Sequence, residues 1–343
     1  MTLVRERRHQ QALKLSLPPP IPPAELRHRT LLSTLLSSSI SPASPCINNL
    51  SDLEKLAVLG HGSGGTVYKV RHRSSASIYA LKVLRFTEDA VTIRLQAARE
   101  AEILKRVDSP YIVRCHGVFN NGITGNGDGG SDLCFVMEYM EAGSLHDVLR
   151  VRRRFPEKVI YGVARRVLEG LHYLHGMQIV HGDIKPSNLL INAIGHVKIA
   201  DFGVSHVVAG KPNNTCDFFM GTSAYMSPER FDPERWGGDC SDGFAGDVWS
   251  LGVVVLECLV GHFPLIGPGQ KPDWPTLMCA ICFGEKMEMP ETAASPEFQS
   301  FVCRCLEKDW RKRGTVAELL SHPFVNKGCC DSTEGLVDYA LNG

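Results

Sequence analysis

The chain lacks a net charge, an apolar run of membrane length, and the cysteine spacing of a disulfide framework. Its 343 residues carry 37 Lys and Arg against 37 Asp and Glu. No global field draws such a chain to nucleic acid or to a membrane surface, so any electrostatic partner is met locally. The longest strongly apolar stretch, LGVVVLECLV at 251–260, is about half of the roughly 20 residues that a membrane-spanning helix needs, and it contains Glu257. It reads as a buried helix. The 12 cysteines are scattered and no apolar signal sequence opens the chain, which predicts a reducing, cytoplasmic or nuclear setting. Three pairs invite a metal: Cys279-x-x-Cys282, Cys303-x-Cys305 and Cys329-Cys330. None has a histidine or a second CxxC at finger spacing, and Met278, Ala280, Ile281 and Phe283 around the first look like a packed helix. Thiols buried as small hydrophobes are expected there instead. There is no internal repeat.

What is present divides the chain in three. Residues 1–52 contain PPPIPP at 18–23 and LLSTLLSSSISPASP at 31–45, without a sustained helical or strand period, and predict a disordered basic, proline- and serine-rich arm. A folded domain is expected over 53–324 and a loose tail over 325–343. Within the domain LEKLAVLG, GTVYKVRHR and SIYALKVL are short β-rich runs, followed by an amphipathic stretch around 90–106. NNGITGNGDGGSD at 120–132 is almost all turn-formers and predicts a flexible hairpin tip before the strand LCFVMEY. Beyond Gly143 the pattern is mainly helical, as in VIYGVARRVLEGLHYLH. The expected class is α+β with two lobes, a small β-rich one with one main helix over about 53–140 and a mainly helical one over about 141–324.

The chemistry is written into four motifs. LGHGSGGTVYKV carries Gly60-x-Gly62-x-x-Gly65 and then Val67. A dinucleotide fold uses the same glycines between a strand and a helix; here strand follows strand, the arrangement of a phosphate-covering hairpin. YALK places Lys82 on the next strand. VHGDIKPSN supplies Asp183, Lys185 and Asn188, and Asp201-Phe202-Gly203 follows. Together these resemble the signature set of protein kinases, in which such residues respectively accept the substrate hydroxyl proton, neutralise the transferring phosphoryl group and ligate two metal positions. The resemblance implies ATP and Mg2+ as cofactors, Lys82 on the α- and β-phosphates, and Asn188 and Asp201 on the metal. It implies a glutamate partner for Lys82; RLQAAREAEILKRV offers Glu100 and Glu102, of which Glu100 fits the pattern better and Glu102 is the fallback. Glu229 of SPE is expected to pair with Arg313 of WRKRGT, and Asp247 of GDVWS to cap the catalytic-loop backbone. Lys185 followed by Pro186 favours substrate hydroxyls of serine and threonine type.

Over residues 53–324 the chain resembles more narrowly the MAP kinase kinases of plants, in IYALKVL, SPYIVRCHG, FVMEYMEAGSL, IVHGDIKPSNLLIN, KIADFGVS, GTSAYMSPER, GDVWSLGVVVLE and LMCAICFGE, and is closest to the short members without an added C-terminal domain. That resemblance implies a dual-specificity enzyme acting on the threonine and tyrosine of a MAP kinase activation loop. It implies a nucleotide site lined by Leu59, Val67, Ala80 and Met137, with Glu138 and Met140 on the hinge.

Two departures stand out. The family is switched on by phosphorylation of two serines or threonines upstream of the GT pair, and those positions fall here on Pro212 and Phe218, with Thr215 between them. Gly182 stands where most kinases have an arginine that an activation-loop phosphate neutralises. An unpaired buried cation is costly, whereas glycine costs only about 0.5–1 kcal/mol of backbone entropy. The expectation is an enzyme that keeps its chemistry and has lost the usual phospho-switch, with Phe218-Phe219 docking the loop by apolar contact. A non-catalytic scaffold or decoy that binds MAP kinases is the rival. In the arm, Arg5, Arg7 and Arg8 precede Leu13-x-Leu15 and Leu15-x-Leu17, which looks like a docking peptide for a MAP kinase: basic heads for an acidic patch, then alternating leucines. An organelle transit peptide is weighed against it, but Glu6 and the want of a clear amphipathic helix count against that. An upstream MAP kinase kinase kinase is implied as a further partner.

Overall fold

A computed structural model describes residues 47–62, 65–86, 91–121, 132–208, 222–237, 243–267, 273–284, 294–326 and 336, all within one compact unit. The docking residues of the arm, Ser63 and Gly64, the loop residues Pro212, Thr215, Phe218 and Phe219, and Cys329-Cys330 lie outside them.

Five antiparallel strands build the small lobe: β1 (Leu53–Gly62), β2 (Gly65–His72), β3 (Ile78–Arg85), β4 (Cys115–Asn121) and β5 (Asp132–Glu138), in the order β1-β2-β3-β5-β4. Strand β3 shows why they form. Tyr79, Leu81 and Val83 alternate onto a core with Leu53, Val70, Cys134 and Val136, while Ala80 and Lys82 face the other way. The one α-helix among the described residues of this lobe, α1 (Val91–Arg106), buries Ala97, Glu100, Ala101 and Leu104, the i, i+3, i+4, i+7 stripe that a helix presents to a core. Glu100 is thus carried inward by an otherwise apolar stripe.

The helical lobe begins with α2 (Leu145–Arg152), whose Ser144 cap exchanges hydrogen bonds with Asp147 in a capping box. Helix α3 (Glu157–Gly176) follows, then the short strands β6 (Ile179–Val180), β7 (Leu189–Ile191), β8 (Val197–Ile199) and β9 (His206–Val207). Next come α4 (Pro228–Phe231), α5 (Pro233–Trp236) and α6 (Gly243–Val260), then α7 (Trp274–Met278), α8 (Pro296–Cys305), α9 (Val316–Leu320) and α10 (Pro323–Asn326). Helix α6 is long and apolar enough in composition to cross a membrane, but 67% of it is buried inside the protein. Val253, Val254, Val255 and Leu256 are fully enclosed. Side chains of this kind contribute about 1.5–3 kcal/mol each on burial, which makes α6 the pillar of this lobe.

Four expectations need correction. Ile47 and Leu50 pack against the small-lobe core, so ordered chain precedes Leu53. The paired strands reach Asn121 and Asp132, so the hairpin tip is narrower than 120–132. Val325 and Leu336, which fall in the stretch expected to be loose, are buried in the large core. Cys282 and Cys305 are buried thiols, but Cys279 is exposed, because it lies two residues after the buried Leu277 and so falls on the opposite side of the helix.

Candidate active site

Register builds the roof of the cleft. Val67 and Phe135 both pair with Lys82, and Ala80 pairs with Met137, so these five residues share the sheet face opposite the small-lobe core. Gly65 has φ +127°, and a Cβ there would stand 2.1 Å from the Val83 carbonyl oxygen, so only glycine closes the hairpin this tightly. A Cβ on Gly60 would meet nothing within 4 Å, which leaves open space under the hairpin. Leu59 lies at the β1 bulge and is exposed, while Met140 is buried against Val113 and Ala200.

Lys82 joins the two lobes. Its Nζ lies 2.7 Å from Glu100 Oε1 and 2.8 Å from Asp201 Oδ1. Burial works against the lysine charge, but the two carboxylates win and hold its pKa above the usual value. Burial and the neighbouring Asp201 carboxylate push Glu100 upward against the pull of Lys82. Asp201 is held below the usual carboxylate range because Lys82, His181 and Lys185 outweigh its burial. Asp201 also adopts φ +65°, a left-handed conformation that costs on the order of 1–3 kcal/mol and aims its carboxylate at Lys82. Glu102 makes no part of this cluster.

Asp183 is held from three sides. Its carboxylate accepts from the Thr222 backbone N–H at 2.9 Å and from Asn188 Nδ2 at 3.0 Å, and pairs with Lys185 Nζ at 2.6 Å. Lys185 also donates to Thr222 Oγ1. Since Asn188 Nδ2 is engaged by the Asp183 carboxylate and carbonyl, its amide oxygen is the atom that could serve as a ligand. Beneath, His181 Nδ1 accepts from the Asp183 N–H, which assigns the Nε2 proton to the Ala200 carbonyl at 3.1 Å. The His181 ring meets Phe202 edge-on at 5.2 Å. Asp247, fully buried, accepts from the backbone N–H of His181 and of Gly182 and from His175 Nε2. Burial raises its pKa, yet His175, His181 and the Gly182 amide bring it below the ordinary value.

Glu229 and Arg313 form a bidentate pair, at 2.7 and 2.9 Å, with both side chains fully enclosed. Sequence reasoning did not find three contacts. Lys198 Nζ grips both oxygens of Glu138 at 2.6 and 2.8 Å, tying the hinge to β8. Tyr225 donates to the half-buried Glu257 at 2.7 Å. Arg230 Nη1 donates to the Gly182 carbonyl at 2.7 Å. The sequence treats Gly182 as the removal of a cation, whereas the structure puts another one beside it. Lys198 could have been flagged as the one charged position between the buried Val197 and Ile199.

Among the described residues no cluster of three His, Cys, Asp or Glu could hold a metal. The donor pair Asn188 and Asp201 fits Mg2+, which takes one or two protein ligands and completes its shell with water and substrate phosphate.

A bilobal fold with this cleft defines a protein kinase. Residues 53–325 match the protein kinase domain family. The chain is 56% identical over 325 residues to mitogen-activated protein kinase kinase 10 of Arabidopsis thaliana, covering 95% of this chain and 99% of that protein. Mitogen-activated protein kinase kinases 9 and 7 of the same plant are 50% and 47% identical, again over 95% of this chain and 99% of each relative. The chain belongs to the plant MAP kinase kinase family.

Proposed function

We propose that this MAP kinase kinase family member is a catalytically competent dual-specificity enzyme, which transfers the γ-phosphate of ATP to the threonine and tyrosine of a MAP kinase activation loop. The carrying observation is Lys82, paired at once with Glu100 and Asp201 while Asp183, Lys185, Asn188 and Thr222 are joined below it. In this reading Lys82 steadies the α- and β-phosphates, Asp183 orients and deprotonates the attacking hydroxyl, and Lys185 offsets charge on the group in flight. Asn188 and Asp201 hold Mg2+, which when bound neutralises the phosphate oxygens. Leu59, Gly60, Gly62, Gly65, Val67, Ala80 and Met137 line the nucleotide site, with Glu138 and Met140 supplying its hinge.

The arm, through Arg5, Arg7, Arg8, Leu13 and Leu15, docks the MAP kinase substrate, and activity does not wait on loop phosphates, since Pro212 and Phe218 cannot accept them. Work in the cytoplasm or nucleus fits the free thiols among the described residues. The competing reading, a kinase-fold scaffold or decoy, draws on Gly182, Pro212 and Phe218. It leaves the assembled Lys82, Asp183 and Asp201 cluster without a purpose.

Incubating the purified chain with ATP, Mg2+ and an inactive MAP kinase separates the two. Phosphothreonine and phosphotyrosine on the MAP kinase, absent with Lys82→Met and Asp183→Asn, are the expected result. Equal signals from all three proteins would make the chain a binding protein.

A further inference from the structure

The turn between α2 and α3 gathers positive charge in a chain whose total is balanced. RVRRRFPEK at 150–158 puts Arg150, Arg153, Arg154 and Lys158 on the surface around Val151, which is 65% exposed. Among the described residues none of the four cationic side chains has an ion-pair or hydrogen-bond partner. The carboxylates of this region are already engaged: Asp147 caps α2 with Ser144, Glu157 accepts from the Ser295 N–H and hydroxyl at 2.6 Å each, and Glu257 accepts from Tyr225. The charge is left facing solvent.

The fold accounts for only part of it. The C-terminal ends of α2 and α6 meet at this turn: the Phe155 N–H donates to the Cys258 carbonyl at 2.7 Å, and a Cβ on Gly261 would stand 2.5 Å from the Arg153 carbonyl oxygen. Each helix C-terminus carries about half a negative charge, so the two together call for about one cation. Lys158 stands in the first turn of α3, where the unpaired N–H groups disfavour a cation. Arg153 has φ +63° at a helix end where glycine or asparagine is the unstrained choice. These two charges run against local preference.

A chain of contacts joins the patch to the active site. The Thr222 N–H holds Asp183 at 2.9 Å, Tyr225 three residues on donates to Glu257, and the Glu257 carbonyl accepts from the N–H of Gly261, the residue that backs Arg153. His146, one turn ahead of Arg150 on α2, also acts on the Glu257 carboxyl. The make-up of the patch selects its partner. Nucleic acid bases stack on aromatic rings, and Phe155, the one aromatic of this run, is buried. A bilayer draws on a wider basic field than a neutral chain supplies. Cations around one aliphatic side chain match a protein segment rich in aspartate and glutamate. We infer that Arg150, Arg153, Arg154 and Lys158 hold the protein substrate by an acidic segment outside its phosphorylated residues, a contact separate from the one proposed for the arm. This rests on the kinase reading above for the identity of that substrate.

The test compares the full-length chain with the variant Arg150→Gln/Arg153→Gly/Arg154→Gln/Lys158→Gln, in which glycine suits the positive φ at position 153. With an inactive MAP kinase as substrate, KM for the MAP kinase is expected to rise about tenfold or more, with kcat and KM for ATP within about twofold. Raising salt from about 50 to about 200 mM should weaken the wild type more than the variant. Titration of the inactive MAP kinase into the same two proteins carrying Lys82→Met, without nucleotide, reads the contact apart from turnover and should show the same loss of affinity. Unchanged KM and unchanged binding would overturn the inference. So would a thermal midpoint several degrees lower in the variant, or patch-dependent sedimentation with phosphatidylserine vesicles in place of any effect on the MAP kinase. Patch-dependent binding of the MAP kinase by a chain whose wild type shows no turnover would uphold it and sink the kinase reading instead.

Discussion

Lys82 makes two ion pairs, Asp183 accepts from two elements and Gly182 faces Arg230. Each of these has a different legibility. That Lys82 would meet Asp201, and Asp183 meet Asn188, could be read from motifs that stand in the chain order of the kinase signature. Their geometry turns on backbone features that no spacing reveals, such as φ +65° at Asp201. Arg230 was illegible for a physical reason: it bonds a backbone carbonyl 48 residues away, and a main-chain acceptor is present at every position, so nothing in the sequence marks the partner. On the proposed mechanism Asp183→Asn removes the acceptor for the hydroxyl proton and should lower kcat by roughly 10²–10⁴, with KM for the MAP kinase little changed. Steady-state kinetics with purified substrate check this, and a variant within about threefold of wild type would contradict the role.

At the scale of elements, long periodic segments were readable and short or irregular ones were not. Helices α1, α3 and α6 show their buried stripes over many residues, whereas strands of two or three residues such as β6 and β9 are too short for any period to appear. A π-helical turn at Cys279–Phe283 breaks the helical phase just where the cysteine spacing invited one reading. Two contacts between elements lend themselves to measurement. Glu229→Gln leaves the Arg313 guanidinium enclosed without its counter-charge and should destabilise the fold by about 3–5 kcal/mol, seen as a lower urea midpoint with an unchanged slope. Loss below about 1 kcal/mol would mean that α4 is not tied to the C-terminal helices through this pair. Lys198→Met releases Glu138 from β8, loosening the hinge behind the nucleotide site. It should raise KM for ATP several-fold and leave kcat within about twofold, and an ATP titration of initial rates decides.

Across the whole molecule, one core runs from Leu84 and Leu104 in the small lobe through Phe202 to Leu171 and Val254 in the large one. Both lobes therefore respond together to pH. Burial holds His116 and His206 below the ordinary histidine value, so the unfolded chain takes up protons first as pH falls. Their contribution to stability is full above about pH 7 and is lost as pH drops below about 6.5, the raised carboxyls of Glu100 and Glu257 act in the opposite direction, and the depressed carboxylates of Asp201 and Asp247 add further loss only below about pH 4. The thermal midpoint at pH 5.5 should lie below that at pH 7.5, by less in His206→Asn; a midpoint that rises on acidification would show the sign to be wrong.

The class and the two lobes were legible because the motifs and the binary pattern agree. The anchoring of Leu336 was not, since a lone leucine in a polar tail carries no period. In the proposed function the catalytic set is assembled without loop phosphates. The most direct measurement is the rate of MAP kinase phosphorylation by wild-type and Thr215→Ala protein, each before and after treatment with an upstream MAP kinase kinase kinase. Rates within about threefold of one another in all four samples are predicted. A tenfold or larger rise on treatment, lost in Thr215→Ala, would contradict it.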